Sequence, residues 1–440
     1  VKNAIPNDSQ DFAFNNNFAN GNPATFLLDD DANGTLSNTR NFEVLPGTYT
    51  LSEDALTGWQ QESASCSDQS LLSAISVSPG ETVTCTFVNE QYAKLILVKN
   101  TLGGDGSFDF DATGTGLPAD IDLTTASGSA SQTFENLDPD DTFSIAENVP
   151  AGWQLDSAVC TGTNTPASIT PNAGEVITCT FTNSKLPTLT VIKILSPSNN
   201  PGLFNLEIDT TGYATDVGDG GTTGVQTLSI GSHLVSESTG TGTDLSDYSV
   251  VIGGDCTVNG TVDLAAGDNK TCTITNTRKV GDLIVYKMLD ENGNGNFQSA
   301  DPGSFTWGLT SGNTSNAMGS GLTLNTGSYE VFENSLINYH FVGWYPNNED
   351  YSCDYLPDSN DNFVLPASVA VSDGETTEIT LCNARDTGWL RVNKVADTDG
   401  DGQYDSTNPQ EFKWGTASAT TNFDMGSSEQ LITGTYDVFE

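Results

Sequence analysis

One short pattern constrains this chain more than any other. Residues 179–183 read Cys-Thr-Phe-Thr-Asn, and close copies stand at 85–89 (Cys-Thr-Phe-Val-Asn) and 272–276 (Cys-Thr-Ile-Thr-Asn), with a looser Thr-Leu-Cys-Asn at 380–383. Alternation along a strand puts Cys179, Phe181 and Asn183 on one face, and the aromatic marks that face as buried. Each copy therefore delivers an asparagine amide into a core, where it needs polar partners.

Those partners are legible upstream. Strands ending in lysine recur at 95–99, 189–193, 283–287 and 390–394, and the period-2 reading puts Lys99, Lys193, Lys287 and Lys394 on the same face as the aliphatic residues before them. Lys2 opens the chain at the equivalent position without those aliphatics, so the first strand reads as clipped. Midway through each unit comes an aromatic-x-aliphatic-x-Glu strand: Tyr49-x-Leu51-x-Glu53, Phe143-x-Ile145-x-Glu147, Tyr329-x-Val331-x-Glu333 and Tyr436-x-Val438-x-Glu440, with His233-x-Val235-x-Glu237 in the third unit. Every complete unit thus sends one Lys, one Glu and one Asn inward.

The lysines are spaced 97, 94, 94 and 107 residues apart, the size of one small β-sandwich. The expected organisation is all-β, a tandem array of Ig-like sandwiches at 1–92, 93–186, 187–280 and 281–386, with an incomplete fifth at 387–440. Helical periodicity appears nowhere, whereas short β-branched runs between Gly, Asn, Asp and Thr turns are frequent. Eight cysteines fall two to a unit: Cys66 and Cys85, Cys160 and Cys179, Cys256 and Cys272, Cys353 and Cys382. One pair per module, at spacings unlike zinc knuckles, reads as one disulfide per module and an oxidising, extracellular location. The net charge of −44, with only 14 Lys plus Arg, argues against nucleic acid and anionic membrane as partners. No apolar run approaches a membrane span.

The last two units add acidic loops. Asp290, Asn292, Asn294 and Asp301 occupy positions 1, 3, 5 and 12 of an EF-hand-like loop with Gly295 at 6, and Asp397, Asp399, Asp401 and Asp405 repeat positions 1, 3, 5 and 9. Two readings stay open, a calcium site and a plain polar turn between strands. Two histidines in different units leave no room for a Ser/His/Asp triad, so an enzyme is disfavoured.

With these motifs in place, the chain resembles the prealbumin-like domains of bacterial surface adhesins and pilins, the collagen-adhesin B-type or SpaA-like family. Residues 49–59 and 143–153 look like that family's Tyr-x-Leu-x-Glu-x-x-Ala-Pro-x-Gly-Tyr motif. The acidic loops look more like the calcium-binding B repeats of serine-aspartate surface proteins. The resemblance implies an isopeptide bond between first-strand lysine and last-strand asparagine, promoted by the glutamate. The pairs would be Lys2 with Asn89, Lys99 with Asn183, Lys193 with Asn276 and Lys287 with Asn383, next to Glu53, Glu147, Glu237 and Glu333. The second and third units are the expected sites; the first is clipped, and in the fourth Cys382 directly precedes Asn383, on the opposite face from its counterparts. A buried, uncrosslinked Lys–Glu pair capped by the amide is the competing reading.

Uniform repeats favour a structural stalk, pilus or fibre; the alternative is an adhesin whose modules bind a glycan or protein. The fifth unit supplies Lys394 and Glu440 but no asparagine strand and no cysteine pair. The expectation is that further chain completes it, the alternative being a neighbouring copy in a head-to-tail filament.

Overall fold

The computed structural model describes residues 1–18, 21–31, 36–299, 304–347, 353, 365–397, 399–404, 406–407, 412–416 and 422–440. Strands dominate them; a 3-10 turn, Leu245–Asp247, is capped by the Asp244 carboxylate, which accepts from the Ser246 N–H.

The second unit displays the plan most fully. One sheet runs in the order Ser129–Leu137, Ala93–Leu102, Val176–Lys185, Trp153–Cys160, and a second in the order Asp120–Thr124, Ser107–Thr113, Ser144–Asn148. Strict alternation builds the core between them. Leu95, Leu97, Phe110, Phe181, Ile121 and Ile145 are all buried, and the strand Ser107–Thr113 alternates exposed and buried without a break. Fully burying one such side chain is worth roughly 1.5–3 kcal/mol. The first unit repeats the central part of this sheet as Lys2–Ile5, Cys85–Gln91 and Trp59–Cys66, the third as Thr188–Ser196, Asn269–Arg278 and Tyr248–Gly254, and the fourth as Val280–Asp290, Thr376–Arg385 and Tyr339–Pro346.

In all four the first and last strands are adjacent and parallel. Successive units follow with one or two residues between strands: Tyr92, then Leu186 and Pro187, then Lys279, then Asp386. The N–H of Tyr92, Leu186, Lys279 and Asp386 donates back to the carbonyl of Gly58, Gly152, Asp247 and Asn338, so each linker is tied to the unit it leaves.

Four disulfides join Cys66 to Cys85, Cys160 to Cys179, Cys256 to Cys272 and Cys353 to Cys382. The two faces expected for Cys382 and Asn383 are both buried, because Ile379 to Asn383 are enclosed on either side of the strand. In the fifth unit the strand expected at 436–440 does not form. The short strand Thr387–Arg391 pairs instead with Ser428–Ile432, and Lys394 lies beyond its end.

Candidate functional site

Register decides which residues meet. Lys99 stands opposite Phe181 and Thr101 opposite Asn183 on the parallel neighbour, so lysine and asparagine are diagonal neighbours on the inner face. The same offset holds for Lys2 opposite Phe87 with Asn89 beyond, Lys193 opposite Ile274 with Asn276 beyond, and Lys287 opposite Leu381 with Asn383 beyond. All four lysines and all four asparagines are buried.

The sites differ in how far they close. In the second unit the Lys99 amine donates to Asn183 Oδ1, lies 3.2 Å from Glu147, and the Asn183 Nδ2 donates to Glu147 Oε1 at 2.8 Å, a complete triangle. In the fourth, Lys287 Nζ donates to Asn383 Oδ1 at 2.7 Å and lies 3.1 Å from Glu333. In the first, Lys2 donates to the Asn3 carbonyl at 2.7 Å and approaches Glu53 only to 4.0 Å. In the third, Lys193 lies 3.0 Å from Glu237 and donates to the Ile274 carbonyl at 3.2 Å, while neither side-chain atom of Asn276 makes a hydrogen bond. In the fifth, Lys394 and Glu440 pair at 2.5 Å, both partly exposed.

Burial opposes charge on both partners. It lowers Lys99 and Lys193 and brings Lys2 and Lys287 down to about 8, the adjacent glutamates pulling each partly back. It raises Glu53, Glu147 and Glu333 against the pull of their lysines. Both shifts favour the uncharged amine and the uncharged carboxyl, the forms that acyl transfer to an amide uses.

Sequence reasoning missed one participant. Each amine sits over a phenylalanine ring, at 3.9 Å for Phe12, 4.2 Å for Phe108, 4.4 Å for Phe204, 4.8 Å for Phe305 and 4.8 Å for Phe412. The first four rings are held edge-on by Trp59, Trp153, Tyr248 and Tyr339. The signal was a phenylalanine 9 to 18 residues after every inward lysine. His233 fills its aromatic slot as a bonded core residue, with Nδ1 2.6 Å from Asp209 and Nε2 2.9 Å from the Ser229 carbonyl.

The acidic loops fold on themselves. Asp290 accepts from the backbone N–H groups of Asn292, Asn294 and Gly295, and Asp397 from those of Gly400 and Gly402. Carboxylate oxygens of Asp397, Asp399 and Asp401 converge within 4.8 Å. Asp301 and Asp405 lie outside the described residues.

Comparison with known proteins places this architecture. Residues 11–87 and 95–185 each match a family model of the SpaA type, described as a prealbumin-like fold domain. The first two units are prealbumin-like domains, and the third and fourth repeat their adjacent, parallel first and last strands. No curated protein matches the chain in sequence. Among solved structures these prealbumin-like domains are similar to the Bacillus anthracis TIE protein, at 15% identity and a TM-score of 0.30, covering 85% of this chain and 69% of that one. They are also similar to the pilus adhesin SpaC of Lactobacillus rhamnosus GG (12% identity, TM-score 0.26, 86% of this chain and 55% of that one). A third likeness is to two B repeat units of the collagen-binding protein of Staphylococcus aureus (12% identity, TM-score 0.15, 88% and 98%). No helix among the described residues is long and apolar enough to cross a membrane.

Proposed function

We propose that this chain is a structural segment of an extracellular stalk or fibre, whose prealbumin-like domains are cross-linked by Lys–Asn isopeptide bonds. The closed triangle of Lys99, Glu147 and Asn183 carries the reading. The neutral Lys99 amine attacks Asn183 Cγ, forming the Nζ–Cγ bond. Glu147, raised by burial and already accepting from Nδ2, donates its proton to that nitrogen as the Cγ–Nδ2 bond breaks. The attacking nitrogen returns a proton to Glu147, and ammonia leaves. One amine and one primary amide become one secondary amide, with no oxidant or cofactor. Fixed geometry supplies the effective concentration. Lys287, Glu333 and Asn383 have the same elements in place.

The disulfides and the charge of −44 suit an oxidising exterior. Partners under this reading are further copies in a fibre or proteins of a cell surface. Calcium belongs to the same proposal: Asp397, Asp399 and Asp401 present carboxylates close enough to share one hard cation, which would brace the start of the fifth unit. The intact mass of the denatured, non-reduced chain tests the cross-links. Each removes one ammonia beyond the two hydrogens lost per disulfide, and a mass showing disulfides alone overturns the reading.

A further inference from the structure

The four complete sites share the lysine–asparagine offset, the Lys–Glu pairing and the phenylalanine under the amine, yet the amides behave differently. The difference lies on a third strand, the antiparallel neighbour on the far side of the asparagine strand. In the second unit Leu155 stands opposite Asn183 and Ser157 opposite Thr182, so Asp156 is an extra residue, a β-bulge, beside the asparagine. In the first, Gln61 faces Asn89 and Ser63 faces Val88, with Glu62 extra. In the fourth, Phe341 faces Asn383 and Gly343 faces Cys382, with Val342 extra. In the third unit the ladder is unbroken: Val250 faces Asn276 and Val251 faces Thr275.

Both units whose asparagine accepts from its lysine carry the bulge. Asn183 and Asn383 both accept from their lysines; in the first unit the bulge is present but the site is open, with Lys2 donating to the Asn3 carbonyl and Asn89 Oδ1 buried without a hydrogen bond. Asn276, opposite the regular ladder, makes no side-chain hydrogen bond although it is fully buried. Bulges bend a strand and add local twist, and in doing so re-aim the side chains beside them. The extra residue stands one step from the asparagine in the first, second and fourth units, and the third has none there. The cysteines vary independently of the bulge, since in the bulged fourth unit Gly343 faces Cys382 and Cys353 lies past the strand end. Cys66 faces Cys85 and Cys160 faces Cys179 within the bulged pairs, but in the third unit it is Gly254 that faces Cys272, and Cys256 lies past the strand end.

We infer that the β-bulge opposite the asparagine is the positioning device for cross-linking, and that the third unit, which lacks it, keeps Lys193, Glu237 and Asn276 unlinked. The inference rests on the isopeptide reading, which supplies the reaction being positioned. It makes the array mechanically unequal. Where first and last strands are covalently joined, tension bypasses everything between them. In the third unit the same tension shears the parallel pair Thr188–Ser196 and Asn269–Arg278, held by hydrogen bonds and packing.

The test is a peptide map of the whole chain, digested at acidic residues after denaturation and reduction. The expected map joins the peptide containing Lys99 to that containing Asn183, and Lys287 to Asn383, each short of one ammonia, with the Lys193 and Asn276 peptides separate. A joined Lys193–Asn276 peptide overturns the positioning role and leaves the isopeptide reading standing; no joined peptide anywhere removes both. Deleting Asp156 restores a regular ladder in the second unit and is expected to separate Lys99 from Asn183. The Cys160–Cys179 disulfide in the non-reduced digest reports that the unit has folded. Persistence of the join in that variant also overturns the inference, and the wild-type map decides the matter where the variant fails to fold.

Discussion

Lys99 and Asn183 are one diagonal step apart on adjacent parallel strands, both fully buried, with the Lys99 amine donating to the Asn183 carbonyl oxygen. A buried lysine and glutamate without further chemistry cost desolvation that their attraction only partly offsets. Conversion to an amide removes both the amine's charge and its need for a counterion.

Replacing the acid tests that conversion directly. In the full chain, Glu147→Ala is expected to leave Lys99 and Asn183 unjoined while the Cys160–Cys179 disulfide still forms, read as recovery of one ammonia in the non-reduced mass. An unchanged deficit would show that Glu147 has no part in the reaction.

The ring beneath the amine is expected to matter in the same assay. Phe108→Ala opens a cavity beside Lys99 and Trp153, destabilising the unit by about 3–5 kcal/mol as large-to-small core changes do. It also admits water to the amine, which restores the charged form and slows joining; Phe108→Leu is expected to keep more of both. Equal joining in Phe108→Ala and wild type would make the ring a packing residue only.

Blocking the reaction exposes a pH dependence whose sign is fixed. In Asn383→Ala the Lys287 amine stays free, with a pKa near 8 against an ordinary 10.5. Between those values the unfolded chain binds the proton and the folded chain does not, so stability rises with pH across that window. Glu333 is raised, so its contribution runs the other way: stability falls as pH climbs from the ordinary carboxylate value through the folded one. Melting temperatures of the variant from pH 7.5 to 11 should climb relative to the parent, whose amide does not titrate. Parallel curves would remove the shifted lysine.

Under load the third unit is expected to give. Replacing Cys256 and Cys272 by serine frees the loop they close, a sequence separation of 16, and a single-molecule pull should show one extension event lengthened by about 50 Å. If no event lengthens, that unit is not the extensible one.

Calcium is expected to raise the melting temperature of the last transition and protect 387–440 from proteolysis, with Asp399→Asn together with Asp401→Asn cancelling the effect. Identical melting in calcium and in chelator would reduce the loop to a polar turn.

The sequence alone determined the period, the all-β class, the cysteine pairs and the inward face of Lys99, Glu147 and Asn183, because strand alternation is local and repeats in every unit. It ranked the third unit beside the second, since Lys193, Glu237 and Asn276 have the same spacing and the same apolar neighbours. It also read a strand at Tyr436 to Glu440, where the structure has only a bridge between Phe439 and Gly415. Only tertiary structure revealed the phenylalanine under each amine and the extra residue at Asp156 with none opposite Asn276. Both depend on which residues of distant strands come to lie opposite one another. That register is set by packing across the sandwich, which no single stretch of chain encodes by itself.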